Sequence, residues 1–173
     1  MIFKAICSDI DGTLLNSERS LSPNLISIVS SISPEIPFFL ASARMPAAMR
    51  HLLHDLNRKE PLIAYNGALV LDAEGKELES IHIPIHLVEE IVLLANEHSL
   101  HLSLLYGEEW HTLNEDYFAL REIENTKVVP SWTDPLLVIE RWKGDNHGAH
   151  KVMCMGDATK IETLYQTLNQ RLK

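Results

Sequence analysis

Short apolar runs alternate with helical periodicity through the first half of the chain. The runs predict buried strands over residues 2–8, 36–42 and 61–68. Between them, apolar positions at helical spacing predict a helix that begins after Ser22 and a second helix over residues 45–56. Because strands that alternate with helices pair in parallel, this half is predicted to form an α/β sheet with three parallel strands.

The pattern changes after Ala68. Alternating polar and apolar residues predict a hairpin over residues 69–83, and an amphipathic helix is predicted over residues 85–98. Further strands are predicted over residues 101–106, 109–113, 136–142 and 151–155, before a final helix that begins near Asp157. We therefore expect two domains, residues 1–83 of α/β type and residues 84–173 of α+β type.

Composition and charge restrict the function. The chain has 173 residues, 46% of them hydrophobic, and this is enough for one ordinary core or two small ones. Its net charge of −9 argues against binding to nucleic acid or to an anionic membrane surface, since both depend on clustered positive charge. No apolar run approaches the roughly 18 residues that span a bilayer. The two cysteines, Cys7 and Cys154, lie in apolar runs, so no disulfide is expected and the predicted location is the cytoplasm.

Two carboxylates follow the first predicted strand, one residue apart. Asp9 and Asp11 would lie on one face of an extended chain, where their repulsion requires a cation or a shared proton. Gly12 comes next and permits a turn. The alternative to a functional site is an Asp-rich turn in which Asp11 and Gly12 only make the bend.

The sequence Asp9-x-Asp11-Gly12-Thr13 after an apolar strand resembles the first motif of the haloacid dehalogenase superfamily of phosphohydrolases. The resemblance implies a Rossmann-like parallel three-layer catalytic domain. It also implies that Asp9 attacks phosphorus to form an aspartyl phosphate, and that Asp11 is the general acid and base. Mg²⁺ would be held by Asp9 and Asp11, while the loop of Gly12 and Thr13 would bind the phosphoryl oxygens.

The second predicted strand ends in Ser42-Ala43-Arg44. The family places a Ser or Thr there to bind the transferring phosphoryl group, commonly in the form Thr-Gly-Arg, so the resemblance makes Ser42 a substrate contact. Arg44 becomes a candidate anion contact. The alternatives are a helix cap for Ser42 and a surface residue that opens the next helix for Arg44.

Asn66-Gly67, at the end of the third predicted strand, resembles the Cof-type branch of the superfamily. In that branch the turn borders the active site, which makes Asn66 a candidate substrate contact, and the chain continues into an α+β cap domain that selects the substrate. Aromatic residues of the cap are candidates to line a pocket, although core packing is the simpler interpretation for each: Tyr106, Trp110 and Trp132.

The family also uses a late Lys and a Gly-Asp stretch with a further Asp, both on the catalytic sheet after the cap. Two internal candidates exist: Lys143-Gly144-Asp145, and Lys151 followed by Gly156-Asp157 with Glu162 beyond it. Residues 151–172 resemble better the closing strand and helix of a Cof-type cap. We therefore expect an incomplete catalytic domain, belonging to a fragment, a shortened product or an atypical member, with an open first strand as a site for self-association.

The resemblance implies a Mg²⁺-dependent phosphatase that acts on a small phosphorylated metabolite, such as a sugar phosphate or a nucleotide. One alternative is an inactive remnant of the fold that binds phosphate or a partner, and another is a phosphotransferase such as a phosphomutase.

Three pairs of histidines have a spacing that suits a metal, but none has an obvious third ligand, and packed or solvated side chains are expected instead: His51 and His54, His98 and His101, His147 and His150.

Overall fold

The sheet of the N-terminal unit has five strands that lie side by side in sequence order. In the computed structural model, which describes residues 3–171, these are β1 (Ile6–Asp9), β2 (Phe38–Ala41), β3 (Leu62–Ala64), β4 (Leu69–Leu71) and β5 (Glu77–Ser80). β1 is parallel to β2 and β2 to β3, whereas β4 and β5 are antiparallel additions. The prediction of three parallel strands is confirmed, although residue 2, where the first strand was predicted to begin, lies outside the described residues.

Two helices connect the parallel strands. Helix α1 (Pro23–Ser31) begins where the sequence predicts, because the side chain of Ser22 accepts a hydrogen bond from the amide of Leu25 at 3.2 Å. Helix α2 (Ala47–Asp55) buries the residues that its periodicity marks as apolar: Ala48, Met49, Leu52 and Leu53. The alternation of strand and helix therefore has the α/β form expected from the sequence.

The connection between β3 and β4 is a tight left-handed turn. Tyr65, Asn66 and Gly67 have φ values of +51°, +57° and +95°. Asn and Gly adopt this region readily, but a buried Tyr does so only where its surroundings enforce it. The turn lies at the carboxyl end of β3, beside the residues that follow β2.

The chain divides into two units, Met1–Ile81 and His82–Lys173. The second unit has a four-stranded sheet in the order β8-β7-β6-β9, formed by β6 (His101–Tyr106), β7 (Glu109–Thr112), β8 (Ser131–Trp132) and β9 (Lys151–Met155). Its helices are α3 (Ile85–Glu97), α4 (Tyr117–Thr126), α5 (Pro135–Asp145) and α6 (Ala158–Arg171). The sequence pattern places the boundary two residues later, between residues 83 and 84.

The prediction of a strand over residues 136–142 is wrong, since these residues belong to helix α5. The carboxylate of Asp134 accepts a hydrogen bond from the amide of Leu136 at 2.9 Å, and Pro135 occupies the first helical position. Val138, Ile139 and Trp142 are buried at helical spacing in the core of this unit. The helix start signal therefore outweighs the strand propensity of the Val and Ile residues.

Helix α4 has no counterpart in the sequence prediction. Its N-cap is Asp116, whose Oδ1 accepts hydrogen bonds from the amides of Phe118 at 3.0 Å and Ala119 at 2.9 Å. With this helix added, the second unit keeps the α+β class predicted for it. Among the described helices, none combines the length and the apolar character that crossing a membrane requires.

β1 forms one edge of the first sheet. Within residues 3–171 it pairs with β2 alone, and Cys7 and Asp9 on this strand are exposed. An unpaired strand edge presents backbone donors and acceptors to other chains. Self-association through this edge stays a prediction.

Candidate functional site

The functional residues predicted from the sequence follow neighbouring parallel strands. Asp9 ends β1 and is paired in register with Ala41, the residue immediately before Ser42. The amide of Ser42 donates a hydrogen bond to the carbonyl of Ile63 on β3 at 2.9 Å. Because parallel strands end at the same edge of a sheet, the side chains after β1 and β2 are brought close together, as in other open α/β sheets.

A single buried residue fixes the turn after β1. Ile10 is fully buried, and its carbonyl accepts hydrogen bonds from the amides of Leu14 and Leu15, each at 3.0 Å. Residues 11–13 between these anchors are exposed, and Gly12 has a φ of +78°. The turn therefore presents Asp11, Gly12 and Thr13 to solvent on a fixed backbone.

The backbone of this turn has free donors. In the described part of the chain, the N–H groups of Gly12 and Thr13 form no hydrogen bond. Successive N–H groups in a turn that includes a left-handed residue form a concavity that suits an anion. Gly12 and Thr13 thus have the features needed to bind phosphoryl oxygens.

Asp11 and Arg44 form a two-point ion pair. Nε of Arg44 donates to Oδ2 of Asp11 at 2.9 Å, and Nη2 donates to Oδ1 at 2.8 Å. Arg44 is only 7% exposed, whereas the Asp11 side chain is 49% exposed. The sequence suggested that Arg44 contacts an anion, and the structure gives its guanidinium a carboxylate of its own chain as partner.

A second guanidinium lies near Asp11 and has no counterpart in the sequence analysis. Nη1 of Arg19 lies 3.6 Å from Oδ1 of Asp11. No motif marks this residue, because its position depends on how the loop over residues 16–20 closes. The only signal in the sequence is the polar stretch Asn16-Ser-Glu-Arg-Ser, which is typical of a turn.

Ser42 is buried and lies between Arg44 and Asn66. Its Oγ accepts a hydrogen bond from the amide of Arg44 at 3.2 Å, and its carbonyl accepts one from the amide of Asn66 at 2.8 Å. Among residues 3–171 the hydroxyl hydrogen has no acceptor, so it remains able to donate. The geometry fits a turn-forming Ser that also keeps a donor for a ligand.

Asn66 is held beside Ser42 by this backbone contact. The amide of Tyr65 donates to the carbonyl of Arg44 at 3.1 Å, which fixes the same turn at a second point. The Asn66 side chain is exposed. The turn after β3 therefore contributes a polar, solvent-facing side chain to the edge formed by the ends of β1 and β2.

The oxygen donors at this edge fit a magnesium ion. The Asp9 carboxylate is exposed and has neither a hydrogen bond nor an ion pair with any other described residue. Mg²⁺ prefers hard oxygen ligands and commonly uses one or two carboxylates together with waters and substrate phosphate. No group of three or more His, Cys, Asp and Glu side chains that suits a metal occurs in the part of the chain that the structure describes. At this edge of the sheet, the exposed Asp9 carboxylate is an oxygen ligand of the kind that such an ion uses.

The late Lys and Asp candidates lie in the second unit. Lys143 belongs to helix α5 and pairs with Glu89 at 2.8 Å. Lys151 begins β9, which pairs with β6 and therefore belongs to the second sheet. The carboxylate of Asp157 accepts hydrogen bonds from the amides of Thr159 and Lys160 at the start of α6. The structure thus gives these residues roles within the second unit.

The aromatic residues proposed for a pocket differ in their environments. Trp110 is 3% exposed, and its Nε1 donates to the hydroxyl of Ser103 at 2.9 Å. Tyr106 is stacked between rings, with centroids 3.8 Å from His147 and 4.6 Å from His150. Core packing is therefore the better interpretation for Trp110 and Tyr106. Trp132 is 43% exposed and remains a candidate for a ligand contact.

The chain is similar along nearly its whole length to a family of hydrolases and to a protein named as a putative phosphatase. A family model described as haloacid dehalogenase-like hydrolase matches residues 6–173. A protein of Haemophilus influenzae that bears the name "Putative phosphatase" is 27% identical over 173 residues, which cover 99% of this chain and 63% of the relative.

Solved structures show the same fold. A haloacid dehalogenase-like hydrolase from Bacteroides thetaiotaomicron superposes with a TM-score of 0.85 at 22% identity, covering 99% of this chain and 65% of that one. The subclass IIB sugar phosphatase BT4131 superposes with a TM-score of 0.74 at 16% identity, covering 96% of this chain and 64% of that one. The chain therefore spans less than two thirds of the length of these relatives.

Proposed function

Because the chain belongs to the haloacid dehalogenase-like hydrolase family, we propose that it carries the nucleophile of a Mg²⁺-dependent phosphatase, with Asp9 forming an aspartyl phosphate. One observation carries the proposal. The Asp9 carboxylate is exposed at the end of β1 and unpaired among the described residues, beside a turn whose Gly12 and Thr13 amides are free. A nucleophile and donors for the oxygens of the group it attacks are thus adjacent in sequence and in space.

The proposed reaction has two steps. An oxygen of Asp9 attacks phosphorus, and the ester bond between phosphorus and the leaving oxygen breaks as Asp11 gives that oxygen a proton. Water then attacks the phosphorus of the aspartyl phosphate, Asp11 takes a proton from the water, and the Asp9 carboxylate is regenerated. The Ser42 hydroxyl and the amides of Gly12 and Thr13 hold the phosphoryl oxygens during both steps.

Asp9 and the backbone carbonyl of Asp11 would hold the Mg²⁺ ion. When bound, the ion supplies positive charge that reduces the repulsion between an anionic nucleophile and an anionic phosphate. Arg44 has a different part in the proposal. Its guanidinium donates to both oxygens of Asp11, so it orients Asp11 as the carboxylate that takes a proton from water in the second step, and Asp11 carries a proton when it acts as the acid in the first step.

The substrate proposed is a small phosphorylated metabolite, a sugar phosphate or a nucleotide. The likeness to a subclass IIB sugar phosphatase supports the sugar phosphate. The second unit would act as the cap that selects the substrate, with Asn66 as a contact from the first unit. Arg44 would reach the substrate phosphate only if its pair with Asp11 opened.

Phosphate release tests the proposal. Purified protein of natural length is assayed with Mg²⁺ on a panel of sugar phosphates and nucleoside monophosphates, beside Asp9→Asn and the matched surface change Asp55→Asn. We expect release by the native protein and by Asp55→Asn, and loss of release in Asp9→Asn. Phosphate binding without release would indicate the inactive remnant, and transfer to a sugar acceptor would indicate a phosphotransferase.

A further inference from the structure

The loop after the site motif is closed by one side chain. Oδ1 of Asn16 accepts hydrogen bonds from the amide of Glu18 at 3.0 Å, and from the amide and hydroxyl of Ser20 at 2.9 Å and 3.1 Å. The backbones of Asn16 and Ser20 are also paired at 3.0 Å. A loop of five residues with this many internal bonds has a defined shape although most of it is exposed.

Arg19 is the strained residue of this loop. Its φ is +56°, in the left-handed region that costs a side-chain-bearing residue about 1 kcal/mol. Its amide donates to the carbonyl of Asn16 at 2.9 Å, which fixes the backbone at this point. Backbone strain of this kind is concentrated at functional sites, where the position of a side chain matters more than local stability.

The two arginines near Asp11 differ in how many of their hydrogen-bond donors are already used. Arg44 is buried and uses Nε and Nη2 on the Asp11 carboxylate. The Arg19 side chain is 45% exposed, and its 3.6 Å ion pair with Asp11 is longer than a hydrogen bond. In the described residues its guanidinium donates no hydrogen bond, so its five N–H donors remain available.

The role proposed for Asp11 indicates which part of a substrate Arg19 would meet. The group that protonates the leaving oxygen must come within hydrogen-bond reach of it, about 3 Å. Nη1 of Arg19 lies 3.6 Å from Oδ1 of the same carboxylate, so a leaving group within reach of Asp11 is also within a few ångströms of Arg19. An anionic group a few bonds from the ester oxygen would meet the free donors of Arg19, which match carboxylate and phosphate in geometry.

The charge around the candidate site favours a contact between Arg19 and an anionic group of the substrate. The chain carries a net charge of −9, and the Asp9 carboxylate, which forms no ion pair with another described residue, adds negative charge at the site itself. A substrate with a second anionic group is therefore repelled unless a positive group faces that part of it. The charge of Arg44 is already offset by its two hydrogen bonds to Asp11. The contact of Arg19 with Asp11 is longer, so the Arg19 guanidinium can face the second anionic group.

We propose that Arg19 is a specificity-determining residue that binds a second anionic group, a carboxylate or a phosphate, on the alcohol part of the substrate. The inference rests on the function proposed above. Arg19 is not needed for the bond-breaking steps themselves, so its loss changes which esters are preferred and leaves the reaction intact.

Three esters of nearly equal size test the proposal: 2-phosphoglycolate, 2-hydroxyethyl phosphate and phosphoethanolamine, whose second groups are anionic, neutral and cationic. In native protein of natural length with Mg²⁺, kcat/KM is expected to fall in that order. Arg19→Gln should lower kcat/KM for 2-phosphoglycolate about tenfold, as expected for loss of a charged hydrogen bond. The neutral ester should change less than about twofold and phosphoethanolamine should improve.

Two further variants separate charge from geometry. Arg19→Lys should keep part of the preference for 2-phosphoglycolate that Arg19→Gln loses. Lysine keeps the positive charge but lacks the planar guanidinium that donates two parallel hydrogen bonds. Lys59→Gln removes one exposed positive charge from the same unit, where Lys59 is 73% exposed, and should leave the order of the three esters unchanged. Equal losses on all three esters in Arg19→Gln, or no loss on 2-phosphoglycolate, would overturn the proposal.

Binding distinguishes this inference from the function on which it rests. Dissociation constants of 2-phosphoglycolate and 2-hydroxyethyl phosphate are measured by calorimetry on Asp9→Asn protein, with and without Arg19→Gln. If native protein hydrolyses none of the esters, the proposed function fails, yet tighter binding of 2-phosphoglycolate that disappears in Arg19→Gln still supports the role of Arg19. Equal affinities before and after the change contradict it.

Discussion

Arg44 binds the carboxylate of Asp11 through two parallel hydrogen bonds, Nε to Oδ2 at 2.9 Å and Nη2 to Oδ1 at 2.8 Å. The contact joins the turn after β1 to the segment after β2, across 33 positions of sequence. A buried guanidinium with a half-exposed carboxylate partner fixes the direction of that carboxylate. The orientation of the proposed acid and base is thus set by the fold, before any substrate binds.

The Asp11–Arg44 pair is expected to show strong energetic coupling. Removing Asp11 leaves a buried, unpaired guanidinium, which is costly. In a double-mutant cycle of Asp11→Asn and Arg44→Met, we expect a coupling of about 1–3 kcal/mol in the free energy of unfolding. Urea denaturation of the four proteins measures it.

The pair of Asp11 with Arg19 serves as the control for that cycle. Both side chains are about half exposed and 3.6 Å apart, so their coupling should stay below about 1 kcal/mol. If Asp11→Asn and Arg44→Met prove additive, or if Arg19 couples to Asp11 as strongly as Arg44 does, the orienting role of Arg44 is wrong.

His150 is expected to make the second unit sensitive to acid. Burial, together with the neighbouring His82 and His147, lowers the pKa of His150 to about 4. Its Nδ1 accepts a hydrogen bond from the amide of Gly107 at 2.9 Å, a bond that protonation at this atom removes. In the unfolded chain the pKa of His is about 6.5, so between these values the unfolded state binds more protons. The stabilisation is complete above about pH 6.5 and is lost as the pH falls towards 4.

Urea unfolding between about pH 4.5 and pH 7.5 measures this dependence, which should not exceed about 3 kcal/mol. His150→Gln keeps an acceptor for Gly107 and should flatten the profile. His54 is 90% exposed, and His54→Gln should leave the profile as in the native protein. A slope that persists unchanged in His150→Gln would show that other groups cause it.

Asp116 is expected to stabilise the second unit in two ways. Oδ1 caps helix α4, and Oδ2 lies 2.8 Å from Nδ1 of His101, whose Nε2 lies 3.0 Å from the hydroxyl of Ser103. Burial raises the pKa of Asp116, but the amides at the start of α4 and His101 outweigh it and hold the pKa below its usual range. Asp116→Ala removes the cap and the partner of His101 together, so we expect a loss of about 2–3 kcal/mol.

The variant series for Asp116 separates the two contributions. Asp116→Asn keeps an oxygen that can cap the helix, and should lose about half as much stability in thermal or urea unfolding. The neighbouring exposed Glu115, changed to Ala, provides the control and should change stability by less than about 0.5 kcal/mol. A loss of the same small size in Asp116→Ala would contradict the assignment.

The sequence was sufficient to predict that the candidate site residues would lie at one edge of the first sheet. Asp9 follows the first predicted strand, Ser42 and Asn66 lie in the last residues of the next two, and the strands of a parallel sheet end at one edge. Their convergence therefore depends on topology alone. The contacts of Asp11 with Arg44 and Arg19 depend on side-chain torsions and on the closure of the loop at Asn16, and no periodicity encodes these.

The errors in the second unit have a related cause. Residues 136–142 are rich in Val, Ile and Leu, which favour a strand locally, but Asp134 and Pro135 start a helix whose buried face includes Val138 and Trp142. Local propensity is weaker than a good cap combined with packing against a core. Helix α4 was missed although its cap residue, Asp116, was visible in the sequence.

The covalent intermediate gives the most direct test of the central claim, that Asp9 is the nucleophile. Protein of natural length is mixed with Mg²⁺ and with a phosphomonoester that it hydrolyses. The mixture is then treated with borohydride, which reduces an aspartyl phosphate to homoserine. We expect peptide mass spectrometry to find homoserine at position 9 and nowhere else, only when substrate is present. Phosphate release that continues in Asp9→Asn protein, or a modified residue at another position, would contradict the account.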